Sequence, residues 1–487
     1  VNLYTRSITS WKISLKHNRT LLAAIAAVFV VGVEVRAGEF SYTNIEAQDV
    51  PVAAPVSVAT KRSDDSLTWQ GITLYGTIDV GYAYQTHGTP LNLNSGSGLE
   101  YSVQKNSNNS ITTLAPNGLG QSIIGLKGES ELFDGLSGLF KLESGFDPLS
   151  MRLADGPASL INNNGISLAN QTSNGDSSRA GQLFNSAAYV GVKSKNYGTL
   201  TFGRQVTLQA DNVFKYDPNS VSCAFSVIGC SSTAQGIGDK QDGRLNSSLK
   251  YTDKIGSFRV GALYQFSGKQ YEPFSATTVS GSAEELNVGN DYGNFSADFI
   301  YSHKNDAISA ASLTSAQMLT LPTNSLTATV SDNTSYAFMG KYNAGLTTLY
   351  AGYERIQFAN PSSPLSVGTT NIGGYTLSAL SQNTYTNHKI LDWYWTGLKY
   401  SVTPKLELTG TYYGYSQNSY YGNGCADASH SSCSGTFDAE SFVATYRLTR
   451  HWNIYGGAMW SQVHDGLANG YLYTSTVTAM IGGRFIF

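Results

Sequence analysis

The stretch RLNSSLKYTDKIGSFRVGALYQF, residues 244–266, spells out two strands and the turn between them. Arg244, Asn246, Ser248 and Lys250 alternate with Leu245, Leu249 and Tyr251; beyond the short link at Lys254-Ile255, Arg259 and Gln265 alternate with Phe258, Val260, Tyr264 and Phe266. A period of two puts polar and apolar groups on opposite faces of an extended chain. A soluble sheet with one wet face has the same period, so a single hairpin does not decide the fold. Its recurrence does. Residues 74–84 set Leu74, Ile78, Val80, Tyr82 and Tyr84 against Thr77, Asp79 and Gly81, and Lys141, Glu143 and Asp147 alternate with Phe140, Leu142 and Phe146. Further outward faces are expected to carry Phe295 with Phe299, Tyr336 with Phe338, Trp393 with Trp395, and Phe442 with Tyr446. Such segments begin near residues 74, 121, 137, 185, 198, 244, 256, 284, 295, 333, 347, 388, 405, 437, 451 and 474, sixteen in all.

Composition says where those strands sit. Only 13% of the 487 residues are charged, about half the roughly 25% of an ordinary soluble chain. The mean hydropathy of -0.18 excludes a bundle of apolar helices. A chain poor in charge, rich in Gly and Tyr, and not very hydrophobic fits strands with one face toward lipid and one toward water, the pattern of an all-β, transmembrane antiparallel β-barrel. The net charge of -3 argues against a nucleic-acid partner, which favours a basic surface.

The links alternate in length. Short ones fall at Asp134-Gly135, Asn196-Tyr197, Lys254-Ile255, Asn343-Ala344-Gly345, Thr403-Pro404 and Arg450-His451; long ones span 86–120, 148–184, 206–243, 303–332, 359–387 and 419–436. Outer-membrane barrels have tight periplasmic turns and long external loops in this way. At the other end of the chain, Arg6, Lys12, Lys16 and Arg19 precede the apolar run Leu21–Val33 and Val35-Arg36-Ala37, which reads as an export signal at 1–37. The expected organisation is then a flexible segment at 38–70 and a barrel at 71–487. Cys223 with Cys230 and Cys425 with Cys433 form two close pairs in Ser/Gly-rich stretches. For an exported chain we read them as local disulfides rather than zinc ligands, and no metal or cofactor is expected.

The blocks LYGTIDVGYAYQ (74–85), GLKGESELFDGLSGLFKLESGFD (125–147), FNSAAYVGVKSKNYGTLTFGRQ (184–205), the opening hairpin at 244–266 and the final IGGRFIF resemble the Gram-negative general porins, in particular those of β-proteobacterial type. The resemblance implies a sixteen-stranded barrel, a homotrimer in the outer membrane, and a third external loop, here 206–243, folded into the lumen. It implies passive diffusion of ions and small hydrophilic solutes. Outer-membrane lipid, lipopolysaccharide and the barrel-assembly machinery would be its other partners. It implies a constriction in which basic wall residues, Arg204 and Arg244 supplemented by Lys127 and Lys141, face acidic residues of that loop, Asp217 first and then Asp211, Asp239 and Asp242. Strict alternation groups Arg204 with Phe202, so a bulge at Gly203 would be needed to re-aim it. Gln121, Ser122 and Ser186 stand where the family commonly carries arginine, which thins the basic wall. The aromatic end, Phe485 and Phe487, resembles the insertion signal of such barrels. A substrate-specific channel, with Tyr394, Tyr413 and Glu407 lining a sugar path, is the alternative. A barrel enzyme is less favoured, because none of the seven histidines lies in a nucleophile or metal motif.

Overall fold

The computed structural model describes residues 67–487 apart from 96–97, 155–157, 175–181, 231–233, 235–242, 267–280, 373–374, 383–384, 421–424 and 426–429. The expected export signal at 1–37, residues 38–66 of the expected flexible segment, and Asp239 and Asp242 lie outside the described residues.

The alternating segments become β2 (Ile72–Gln85), β4 (Ile123–Phe133), β5 (Leu136–Gly145), β6 (Ala187–Ser194), β7 (Gly198–Val206), β8 (Arg244–Ile255), β9 (Phe258–Gln265), β10 (Ala283–Tyr292), β11 (Phe295–Ala311), β12 (Ser325–Ala344), β13 (Thr347–Ala359), β16 (Lys389–Ser401), β17 (Leu406–Gln417), β18 (Gly435–Arg447), β19 (Trp452–Val463) and β20 (Ser475–Ile486). Each is antiparallel to the next, and β20 returns to β2 with Phe485 opposite Ile78, so sixteen strands close the wall. Closure pairs every backbone group that would otherwise be left bare in hydrocarbon. Ile78, Tyr82 and Tyr84 face outward and exposed, while Asp79, Ala83 and Gln85 are buried inside. Phe487 closes the seam: its N–H and carbonyl exchange hydrogen bonds with Gly76 at 3.1 and 3.0 Å. A Cβ on Gly76 would stand 2.5 Å from the Phe487 ring.

Four shorter strands depart from the expected pattern. β1 (Leu67–Trp69), at the end of the segment read as flexible, pairs with Ile72–Leu74. The turn Gln70-Gly71 has φ values of 49° and 81°, the left-handed pair that matches strand twist. β3 (Ile111–Pro116) pairs with the outer half of β2 and β4 with its inner half, so this wall strand is interrupted at 117–122. The expected loop 303–332 is largely a projecting hairpin, because β11 runs on to Ala311 and β12 starts at Ser325. The loop 359–387 contains β14 (Thr369–Ile372) and β15 (Tyr375–Gln382), and β15 lies parallel to the start of β12. Leu326, Val330 and Leu377 bury one face of this flap against Leu160 and Ile308, so apolar alternation there serves a small soluble-type core instead of the lipid face.

One face assignment reverses. Trp393 and Trp395 point inward and are buried, whereas Tyr394 shares the outer layer with Tyr353 and Tyr412. The lumen beside β11–β20 is not a wet surface. Residues 99–103 and 213–228 fill it with an apolar cluster that includes Tyr101, Val213 and Phe225, and the two tryptophans pack against that filling.

Candidate pore constriction

The third external loop leaves β7 at Val206 and crosses the lumen. Thr207 caps the helix Leu208–Tyr216, its hydroxyl accepting from the Ala210 N–H at 3.0 Å. Two other N-terminal N–H groups, of Leu208 and Gln209, donate to the Glu285 carboxylate on β10, so wall and helix satisfy each other's buried polar groups. Leu208 packs beside Leu245, Leu263 and Ala283 on the wall. At the helix end the Tyr216 hydroxyl donates to Asp298 at 2.5 Å. Lys215 and Arg259 reach the same carboxylate at 2.9 and 2.7 Å. Burial pulls the Lys215 ammonium down to about 8 in spite of Asp298.

Asp217 then fastens the loop to the far wall. Its carboxylate accepts from the Tyr413 hydroxyl at 2.6 Å and from the N–H groups of Val221 at 2.6 Å and Asn219 at 3.2 Å. It is 1% exposed, and burial pushes its carboxyl above the usual range against those hydrogen bonds. Trp395 donates its indole N–H to the Tyr216 carbonyl at 3.1 Å. Pro218 lies so close to Gly397 that a Cβ there would approach its ring to 2.8 Å. Asn219 reaches Thr411 and Ser441. Within the loop closed by the Cys223–Cys230 disulfide, Phe225 meets the Tyr455 ring edge-on at 6.2 Å between centroids. The Ser222 hydroxyl and Ala224 N–H both donate to the Gly118 carbonyl.

The side of the lumen left uncovered by this filling is charged. Lys250 on β8 pairs with Asp211 on the first turn of the helix, and Arg244 interacts electrostatically with Asp211 and Glu143. Lys141 lies 3.3 Å from Glu143, which also accepts from the Tyr75 hydroxyl at 2.9 Å. Lys127 and Lys141 stand 5.3 and 5.6 Å from the centre of the Tyr75 ring. Toward the short-turn end, Arg259 pairs with Asp291 and Lys399 with Glu407. Charges of both signs thus face the loop from the barrel wall, an arrangement of the kind by which a channel can filter solutes by size and charge. A profile described as Gram-negative porin matches residues 50–466. The chain belongs to the Gram-negative porins.

This porin is 27% identical to an outer membrane porin protein of Bordetella pertussis over 210 residues, 43% of this chain and 46% of that relative. The match spans under half of the relative's length. The anion-selective porin from Comamonas acidovorans superposes with a TM-score of 0.55 at 18% identity, over 85% of this chain and 99% of that one. OmpT of Vibrio cholerae does so with 0.53 at 15% identity, over 87% and 100%. At such identities the likeness is one of fold. Family and barrel together place the porin in the outer membrane.

Several expected residues sit differently from their sequence pattern. The register slips between Gly203, with φ of 132°, and Gln205. Arg204 is 6% exposed there, its guanidinium donating to the Asn185 carbonyl at 2.8 Å and to Asn246 at 2.6 Å. Alternation also breaks at Ser247, with φ of 48°, which turns Leu245 toward the helix while Ser248 faces Gln205. Asp217 clamps the loop from a buried position, and Asp211 is the loop carboxylate facing the basic wall. Cys425 and Cys433 are disulfide-bonded. Phe485 lies beside Trp452 with ring centroids 4.8 Å apart, and beside Phe487. The residues the sequence reading passed over are Lys215, Asp291, Asp298 and Glu285. Asp298 lies on the polar face opposite Phe299, so alternation alone could have nominated it. No pattern in the chain announced its partners.

Proposed function

We propose that this porin is a water-filled channel through which ions and small hydrophilic solutes diffuse passively, with a preference for anions. The observation that carries the reading is the lumen-folded loop, which sets Asp211 against Lys250 and Arg244 while its other edge is sealed to β16–β19. Solutes then pass along the β4–β9 side, whose wall presents Lys127, Lys141, Arg244, Lys250 and Arg259 beside Glu143, Asp211 and Asp291. A low-dielectric wall focuses such a field and raises the local concentration of the opposite charge. The anion selectivity named for the Comamonas acidovorans porin accords with this.

Family and fold point to a channel rather than an enzyme. We further propose a homotrimer, as in the trimer form of OmpT of Vibrio cholerae, inserted by the barrel-assembly machinery with Phe485 and Phe487 as its signal and contacting lipopolysaccharide outside. In planar bilayers the purified protein is expected to give stepwise conductance in groups of three, with reversal potentials favouring chloride over potassium. Absence of conductance together with hydrolysis of lipid or peptide would overturn the channel. Saturable current with one sugar would replace general diffusion by a specific path.

A further inference from the structure

At the external mouth of the barrel two ammonium groups stand together without a counterion. Lys389 opens β16 directly after the long loop 359–387 and shares the inward face of that strand with Trp393 and Trp395. Phe358 lies opposite it on β13. The Lys389 ammonium stands 5.0 Å from the centre of the Phe358 ring and 5.7 Å from that of Tyr420. Both rings are held in place. Phe358 belongs to the apolar filling of the lumen, and Tyr420 packs against Tyr385 with ring centroids 5.7 Å apart. The Asn360 side chain in turn fixes Tyr385, accepting from its N–H at 2.8 Å and donating to its carbonyl at 3.4 Å. The charged group that acts on Lys389 is a second ammonium, that of Lys105 in the first long loop. Lys105 is exposed, and its backbone is tied down by the Leu472 N–H, which donates to its carbonyl at 3.2 Å.

Among the described residues neither ammonium has a carboxylate within ion-pair distance. Asp392, the one carboxylate of β16, points to the outer face, where Tyr353 and Arg355 take it at 2.6 and 3.3 Å. Ring faces attract an ammonium but bring no net negative charge, so the pair keeps both of its positive charges, and these repel each other. An ammonium resting on rings still has N–H groups to give. A compact dianion set between the two relieves the repulsion and accepts charge-assisted hydrogen bonds from both; a monoanion neutralises only half of the pair. Because Lys389 faces the lumen, the group that meets it comes with a solute entering the barrel and not with lipid outside the wall.

We propose that Lys389 and Lys105 form an oxyanion site at the external mouth, which takes a solute bearing a sulfate or a doubly charged phosphate group before that solute meets Lys250 and Arg244 below. The test is calorimetric titration of the detergent-solubilised protein at low ionic strength with sodium sulfate, and with sodium nitrate as the singly charged oxyanion. Sulfate is expected to bind about tenfold more tightly than nitrate, the difference of one charge-assisted contact. Lys105→Met and Lys389→Met should each weaken sulfate about tenfold, whereas Lys389→Arg, which keeps the charge, should stay within about threefold. Unchanged unfolding temperatures establish that the variants are folded, and Lys105→Met, at an exposed loop position, carries the test where Lys389→Met does not fold. Arg244→Ser combined with Lys250→Ser should leave sulfate binding in place, and so should saturating lipopolysaccharide. Equal affinity for sulfate and nitrate, full binding in Lys105→Met, loss in the Arg244→Ser and Lys250→Ser protein, or displacement by lipopolysaccharide would overturn the proposal. Binding is read without current, so a conducting protein that ignores sulfate refutes the mouth site alone, and a sulfate-binding protein that does not conduct refutes the channel alone.

Discussion

The two sides of the lumen solve opposite problems with the same strand pattern. Along β11–β20 the inward positions are Met339, Ile356, Trp393, Trp395, Tyr413 and Met459, which bury the filling loops as a soluble protein buries its core. Along β4–β9 the inward positions are Lys127, Lys141, Glu143, Ser248, Lys250 and Arg259, which make that side polar. Inward does not mean polar in this barrel; it means whatever the third loop leaves uncovered. On the proposed reading the filled side carries stability and the open side selectivity, so substitutions on the two should separate in their readouts.

The largest effect is expected on the filled side. Asp217→Ala leaves the Tyr413 hydroxyl and the N–H groups of Asn219 and Val221 without their buried acceptor, at a cost of about 3 kcal/mol. Thermal unfolding should fall, and single-channel conductance should rise as the loop loses its clamp. A lower unfolding temperature with unchanged conductance would detach the loop from the passage and collapse the contrast. On the open side, Arg244→Ser combined with Lys250→Ser should leave unfolding nearly unchanged. It should reduce the anion-to-cation permeability ratio by about threefold, as expected on removing charge from a narrow low-dielectric passage. An unaltered reversal potential would remove both residues from the filter.

Lys215 joins the two sides, and pH separates its charge from its packing. With its ammonium pulled to about 8, it is charged below that pH and neutral above it. Raising pH from 7 to 9 should therefore weaken anion preference, and Lys215→Met should flatten this part of the titration. A profile identical in both proteins would place its charge outside the field of the passage. The smallest effect is expected at Lys193, whose pair with Glu129 at 3.0 Å is solvent-exposed. Lys193→Ala should change stability by under ~0.5 kcal/mol and leave selectivity as it is.

Much of this was legible before any coordinates. A period of two across sixteen segments gave the wall, since lipid outside and water inside select that alternation directly. The long stretch at 206–243 marked the lumen loop. Alternation does not say which face is inward when both are apolar, and so Trp393 and Trp395 were misassigned within Leu391-Asp392-Trp393-Tyr394-Trp395 while Ile78 and Phe299 were not. Nor does it register bulges. Gly203 and Ser247 each reset the phase, and they do so beside Arg204 and Arg244, the residues whose direction mattered most. The links from Lys215 to Asp298 and from Glu285 to the helix join positions far apart in the chain, and such pairings follow only from the loop's path through the barrel.

The gap in the second wall strand at 117–122 has a consequence for the order of assembly. Asp79 on β2 accepts the N–H groups of Gly118 and Leu119 and the hydroxyl of Tyr455 on β19, and the Gly118 carbonyl receives Ser222 and Ala224 from the lumen loop. The seat for the tail of that loop is thus built from the first and the last parts of the wall. It is complete only when the two ends of the sheet meet, so we expect the circle to close before the loop settles. Protease access to 217–230 during insertion would then serve as a clock for the moment of closure.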